Sequence, residues 1–442
     1  MSGDDDLGTR LRNEEKAVST SRLGRLFKNG RSALELASTM LRRRDGDDAD
    51  EAIAQQLEGL TARLGELKGV GMKMGQILSF IDPSLPPQTR KVLAVLQRNA
   101  PATPFTEVER EVRDAFGARA DQLLTSMDRQ PFSVASIGQV HHASLGDARV
   151  VVKVRHAGIA KALAADFSAA RGGVGVANMV LFGLASGAKE LIEECRSTLL
   201  SECDFSREAK HQRAFREWVG ASSRVVVPEV VDAWSSEAVL TTRFEPGDSL
   251  EAFLARNPSQ AERDAAGVEL FRVMVGGFHE LGLLYADPHP GNFAFRAGGQ
   301  VVVYDFGCVR PYERRHTRAF SAMARALRDG DRSALLTAAR EFGFRLDGAE
   351  NEQTFERFAK SFFAPMLVRG PHVIPPDGAV EASQMMRDKR ALAKLGLPPH
   401  LLFLLRLRFG MYAVLASLGA RADWGALESD WSCGGTATLA AW

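Results

Sequence analysis

The chain has 442 residues, 45% of them hydrophobic, and a net charge of +1 at pH 7. That length supplies core for more than one lobe, and near-neutrality argues against a general nucleic-acid binder. Its four cysteines form no Cys-x-x-Cys pair and no even framework, which argues against a disulfide scaffold or a cysteine-held metal and suits a reducing cytosol.

Met1 to about Thr20 is polar and acidic and is expected to be disordered; it lacks the basic start and apolar core of a signal peptide. Arg22 to Arg44 interleaves basic residues with Leu34, Leu36, Met40 and Leu41. Two readings fit it equally: a helix lying on an anionic membrane surface, or one packed on the protein with a solvated basic face. After the break at Asp45-Gly-Asp-Asp48, helices are expected over Ala52–Gly69, through Lys73-Met-Gly75-Gln76 as far as Asp82-Pro, and over Gln88–Gln97. On residues alone, Lys73 is a solvated lysine beside Met72, Met74 and Ile77. The glycines of Gly172–Gly187 fit no nucleotide fingerprint, because no strand-to-helix context surrounds them.

The chemistry concentrates further on. Tyr285-Ala-Asp-Pro-His-Pro-Gly-Asn292 supplies Asp-x-x-x-x-Asn, and Tyr304-Asp-Phe-Gly307 supplies Asp-Phe-Gly at the end of an apolar strand, Val301–Val303. In-line phosphoryl transfer needs a carboxylate to orient the acceptor, and an amide and a second carboxylate to hold Mg²⁺ against the nucleotide phosphates. Asp287 takes the first role and Asn292 and Asp305 the second. A kinase fold must also carry a phosphate loop, a strand lysine and a helix glutamate toward the N-terminus. Lys153 ends the β-branched run Ala148–Lys153. Glu190 to Glu208 reads as one helix, with Glu208 as the partner of Lys153 and Glu202 as a second acidic group; each is otherwise a solvated helix charge. The phosphate loop, Pro131-Phe-Ser-Val-Ala-Ser-Ile-Gly-Gln-Val-His141, holds a single glycine, so Ala135 and Ser136 stand where glycines would wrap phosphates, and a stiffer loop is expected.

These motifs in this order resemble the UbiB/AarF/ADCK family of atypical kinases. Further marks are Lys73-x-Gly75-Gln76, Ser136-Ile-Gly-Gln-Val-His141 and Glu202-Cys-Asp-Phe205, and the likeness runs from about Leu57 to Trp424. The resemblance implies an α+β, bilobal protein-kinase-like fold: a disordered tail at 1–20, a helical extension carrying the Lys-x-Gly-Gln motif at 21–103, an N-lobe at 104–246 and a mainly helical C-lobe at 247–442. It implies that the extension covers the active site, with Lys73 and Gln76 functional and Glu202 pairing with Lys73. It implies ATP or ADP with Mg²⁺ as ligands, and a lipid or quinone-precursor small molecule as substrate in isoprenoid-quinone metabolism. A homodimer through the extension and a cytoplasmic or membrane-peripheral location also fit it. The chain departs from the family at Ser133 and Val134 in the loop, at Tyr285 where histidine is frequent, and at Thr242 and Arg243 in the hinge, where Thr242 and Phe244 would flank adenine.

Two further stretches bound the function. The apolar run Leu401–Leu415 is interrupted by Arg406 and Arg408, each costing ~2.5–3.5 kcal/mol at a bilayer centre, so a buried C-lobe helix is expected instead. After Gly307, Cys308-Val-Arg-Pro-Tyr-Glu-Arg-Arg315 runs almost directly into a helix expected over His316–Arg328, leaving no platform for a peptide substrate. The reading is an atypical kinase-fold ATP-binding enzyme, an ATPase or small-molecule or lipid kinase. Its alternatives are an unorthodox protein kinase and a nucleotide-gated scaffold.

Overall fold

Period-two alternation builds the first unit. The computed structural model describes residues 102–135, 137–161, 163–164, 196–197, 200–220, 224–375, 395–396, 398 and 400–434. The acidic tail, the basic segment, the helical extension with Lys73 and Gln76, Ser136 and the Gly172–Gly187 run lie outside them. Helices α1 (Phe105–Phe116) and α2 (Ala120–Leu124) lead into strands β1 (Ser133–Val134), β2 (Gly138–Leu145) and β3 (Ala148–Arg155). α1 was not expected from the sequence. It starts after Pro104 and stops at Gly117, whose φ of 57° is cheap only for glycine. β1 pairs antiparallel with β2 and β2 with β3, opposing Lys153 to Val140. Val150, Val152 and Val154 alternate inward onto Val108, Val112, Leu123 and Trp234, which puts Lys153 on the other face of β3.

After β3 come α3 (Phe205–Val219), β4 (Val225–Val226) and β5 (Val239–Arg243), and β5 completes the sheet order β1-β2-β3-β5. Packing divides the described chain into two units. One holds the residues through Phe205 together with Val231–Thr241; the other holds Ser206–Val230 and the residues from Thr242 on. The expectation of one helix from Glu190 to Glu208 is corrected here. Helix ends at Glu202, and the Cys203 and Asp204 N–H groups donate to the carbonyls of Leu200 and Ser201, three residues back. The Phe205 N–H then donates to Glu237 O at 3.0 Å instead of continuing the ladder. Glu202 and Glu208 therefore sit on different helices.

The second unit continues with α4 (Leu250–Ala255), α5 (Gln260–Phe271) and α6 (Gly277–Glu280), then β6 (Leu283–Tyr285), β7 (Phe293–Phe295), β8 (Val301–Val303) and β9 (Val309–Pro311). It closes with α7 (Arg314–Asp329), α8 (Arg332–Phe342), α9 (Gly348–Phe362), α10 (Ala364–Leu367), the short pair β10 (His372–Val373) and β11 (Arg421–Ala422), and α11 (Leu401–Leu418) and α12 (Trp424–Gly434). It is mainly helical, with the antiparallel pairs β7–β8 and β6–β9 beside the sequence motifs. α7 begins at Arg314, directly after β9, and ends at Gly330 in the left-handed conformation. α11 is the buried helix expected of the apolar run, and no described helix is long and apolar enough to cross a membrane. Its two arginines are buried because each meets an acid: Arg406 pairs with Asp287, and Arg408 with Glu428.

Candidate functional site

Two hairpin-like turns assemble the candidate metal end. Between β6 and β7 the chain makes a single 3₁₀ turn at Pro290–Asn292, begun by His289, whose ring accepts from Gly291 N–H at 3.0 Å. Phe293 opposes Val303 across β7–β8, so Asn292 and Tyr304 leave the hairpin side by side, and Tyr304 N–H donates to Asn292 O at 3.0 Å. Asn292 and Asp305 are thereby held at one end of one hairpin. The Asn292 side-chain amide donates to the Asp287 backbone carbonyl at 3.0 Å, which leaves its oxygen for another partner than that carbonyl.

Asp305 is fixed by a local turn in which Gly307 N–H donates to Asp305 Oδ1 at 2.9 Å. A Cβ on Gly307 would lie 3.2 Å from Asp305 Oδ1 and 3.3 Å from Glu208 Oε2, so Gly307 leaves room for two carboxylates to approach one point. Glu208 reaches this point because residues 208, 211, 212, 215 and 219 form the buried stripe of α3, at helical spacing. Phe215 packs its ring 5.2 Å from that of Phe306, and the His211 ring bonds the Phe306 backbone. Burial pushes His211 down to about 4, with Arg207, Lys210 and Arg310 adding to the effect and the Phe306 bond opposing it.

Asp287 is half-buried, and Arg406 Nη2 donates to its Oδ1 at 2.5 Å. Arg406 Nη1 also lies 3.7 Å from the buried Cys308 sulfur. One guanidinium thus ties the carboxylate expected to orient the acceptor to the residue that follows Asp-Phe-Gly. The sequence reading used Arg406 only to argue against a membrane span. Its signal was present: a charge inside a buried apolar helix demands a partner.

Tyr285 lies next to this constellation. It is 1% exposed, with its ring 5.7 Å from Phe306, 5.8 Å from Phe293 and 6.3 Å from Phe215. Burial pushes its hydroxyl well above the ordinary range, and Asp305, Asp287, Cys308 and Glu208 add to the effect.

The hinge stretch is pinned in the second unit. Tyr304 hydroxyl donates to Glu245 O at 2.7 Å, Arg296 pairs with Glu245 at 2.7 Å and donates to Pro246 O at 2.6 Å. Thr242 bridges to Val230 and is half-buried, as is Phe244.

In the first unit, the Lys153 ammonium sits 5.1 Å from the centre of the Phe205 ring. Ala135 N–H is spent on Gly138 O at 2.8 Å, and Ala135 O accepts from His156 Nε2 at 3.1 Å. Thr103 Oγ1 meets the other nitrogen of that ring at 2.6 Å. The loop thus closes on itself and is braced by His156. A Cβ on Gly138 would lie 2.5 Å from Val154 O, which explains the glycine kept there. Glu202 is 4% exposed in this unit; Lys73, its expected partner, lies outside the described residues.

A model of the ABC1 atypical kinase-like domain matches residues 95–339, more than half of the chain. Among characterised sequences, the chain is 29% identical over 357 residues to the atypical kinase coq-8, mitochondrial, of Caenorhabditis elegans, covering 76% of this chain and 47% of that one. It is 27% identical over 290 residues to the atypical kinase COQ8B, mitochondrial, of Danio rerio, covering 65% and 46%. The chain spans about half the length of these curated relatives. Among solved structures, it is similar to the Rv3197–erythromycin complex from Mycobacterium tuberculosis, with a TM-score of 0.56 and 26% identity over 86% of this chain and 97% of that one.

Proposed function

We propose, from the premise that the chain belongs to the ABC1 atypical kinase-like family, that it binds ATP or ADP with Mg²⁺ and acts as an ATPase or as a kinase of a small molecule or lipid. The observation that carries this reading is that one hairpin end holds Asn292, bonded to the Asp287 carbonyl, next to Tyr304 and Asp305, while Asp305 and Glu208 approach each other across Gly307. Amide and carboxylate oxygens are the donors a hard cation such as Mg²⁺ prefers. Asn292 and Asp305 would hold it, and when bound it would neutralise charge on the nucleotide phosphates.

The chain's own residues do the rest. Asp287 orients the acceptor hydroxyl or water through the carboxylate oxygen that Arg406 does not hold, and Arg406 fixes the plane of that carboxylate. Lys153 is assigned to the α/β-phosphates on its motif. The immediate passage from β9 into α7 supports a small-molecule acceptor over a peptide. The mitochondrial coq-8 and COQ8B relatives support a place in isoprenoid-quinone or lipid metabolism. A nucleotide-gated scaffold is the second reading, favoured by the ion pair that occupies one oxygen of Asp287.

Titration with ATP, with and without Mg²⁺, followed by phosphate release in the presence and absence of lipid vesicles and phenolic quinone-precursor mimics, tests the proposal. Mg-dependent binding with stimulated release supports an enzyme. Binding without release leaves the scaffold, and no binding overturns both.

A further inference from the structure

The Tyr285 hydroxyl is a buried polar group that packing does not require. Three phenyl rings, Phe215, Phe293 and Phe306, already surround its ring, and a phenylalanine would fill the same space. Yet the hydroxyl has no hydrogen-bonding partner among the described residues. A buried hydroxyl without a partner destabilises the state in which it is unpaired, and such groups are kept where another state uses them.

What surrounds the hydroxyl says which state that is. Tyr285 pairs with Val309 in the β6–β9 ladder, and the ladder continues through Ala286 N–H to Cys308 O at 3.0 Å, so its strand is registered on the segment that follows Asp305-Phe-Gly307. Its ring lies 5.7 Å from that of Phe306, next in sequence to Asp305, and 5.8 Å from that of Phe293, next to Asn292, and the charges of Asp305, Asp287, Cys308 and Glu208 all add to the rise of its pKa. Asp287 and Cys308 are already met by the Arg406 guanidinium, which leaves Asp305, with Glu208 close to it across Gly307, as the carboxylates that would draw a cation and its waters. Mg²⁺ keeps several of its own water molecules when bound by one or two protein ligands, and such a water is a hydrogen-bond donor that needs acceptors nearby.

We propose that the Tyr285 hydroxyl is a positioning group for the divalent cation, bonded to a water of the cation's shell beside Asp305, and that this bond forms only when Mg-nucleotide is bound. The inference rests on the nucleotide reading above. It gives the Tyr at this position a role distinct from ring packing: the hydroxyl destabilises the empty protein and is satisfied in the loaded one.

Tyr285→Phe separates the two states. Thermal unfolding of the unloaded variant is expected a few degrees above that of the wild type, and calorimetric titration of Mg-ADP is expected to give several-fold weaker binding. Titration of ADP in EDTA should give equal affinities for the two proteins. Tyr285→His, whose neutral imidazole offers a ring nitrogen as acceptor, should recover part of the Mg-ADP affinity. Equal Mg-ADP affinity of wild type and Tyr285→Phe overturns the inference and leaves the nucleotide reading intact. A lower melting temperature for unloaded Tyr285→Phe also overturns it, because the hydroxyl then has a structural partner. Absence of Mg-ADP binding by the wild type overturns the nucleotide reading and this inference with it.

Discussion

Arg406 Nη2 donates to Asp287 Oδ1 at 2.5 Å across 119 residues of sequence, from a mainly apolar helix that also buries Arg408. The guanidinium is buried and the carboxylate only partly so. The pair therefore serves two ends. It makes an arginine tolerable inside α11, and it holds one oxygen of Asp287 so that the other has a fixed direction.

Removing the arginine tests both ends. Arg406→Leu leaves the half-buried carboxylate without its cation and is expected to destabilise the protein by about 1–3 kcal/mol, below the range for a fully buried pair because Asp287 is partly solvated. Arg406→Lys keeps the charge, loses the planar fork, and should cost less. Urea unfolding reads the stability and phosphate release reads the orientation. If Arg406→Lys keeps wild-type stability but loses turnover, direction rather than charge is what Arg406 supplies. If Arg406→Leu changes neither quantity, the pair has no role.

Asp305 and Asp287 should separate binding from turnover. Asp305→Asn removes a charge from the cation site and is expected to weaken Mg-ATP binding at least tenfold, about 1.4 kcal/mol. Asp287→Asn is expected to leave that affinity within about twofold and to abolish phosphate release, since its role is toward the acceptor. Isothermal titration and a phosphate assay on the same preparations decide it. Unaltered Mg-ATP affinity in Asp305→Asn takes Asp305 out of the metal site.

The cation end was legible because metal chemistry dictates residue types at short, fixed spacing: Asp287, Asn292 and Asp305 are separated by turns the chain makes locally. The strand of Lys153 was legible from its β-branched run, which suits a strand with one buried face. That Arg406 needs a partner was legible in its apolar surroundings, but which partner was not, since the packing of α11 chooses Asp287 and no local pattern encodes it. The break between Glu202 and Glu208 was missed for a related reason. Local spacing allows one helix through that segment, but the Phe205 N–H is taken by Glu237 O, a bond to a distant residue. The bracing of the alanine-rich loop by His156 was hidden as well: stiffness follows from the loss of glycines, but the partner that supplies it is 21 residues away.

Gly307 is expected to be intolerant of a methyl group for a reason unrelated to backbone freedom. In Gly307→Ala the Cβ meets Asp305 Oδ1 at 3.2 Å and Glu208 Oε2 at 3.3 Å, so both carboxylates must retreat by a few tenths of an ångström. Nucleotide affinity in Mg²⁺ should drop several-fold while the melting temperature changes little, because the displaced groups are side-chain ends and not core. Equal loss of affinity in EDTA would place the effect outside the cation site.

Acid sensitivity should come first from histidines. His400 is pushed down to about 4 by burial, with the His316 ring stacked 4.1 Å away adding to the shift, while its bond to Phe342 O opposes it. In the unfolded chain it titrates near its ordinary 6.5. Between those values the unfolded chain binds more protons, so the contribution is fully present above pH 6.5 and is lost as pH falls toward 4. His211, also down to about 4, acts in the same window. Glu428 loses stability only lower, from its ordinary 4.5 toward about 2, where Arg408 and His279 hold it against the upward push of burial. Stability from urea unfolding should therefore decline already between pH 6.5 and 5. His400→Gln, which keeps an N–H for Phe342 O and cannot titrate, should flatten that decline by about 1 kcal/mol, a value discounted for the partial exposure of the ring. A decline of unchanged slope in His400→Gln would assign the acid sensitivity to other groups.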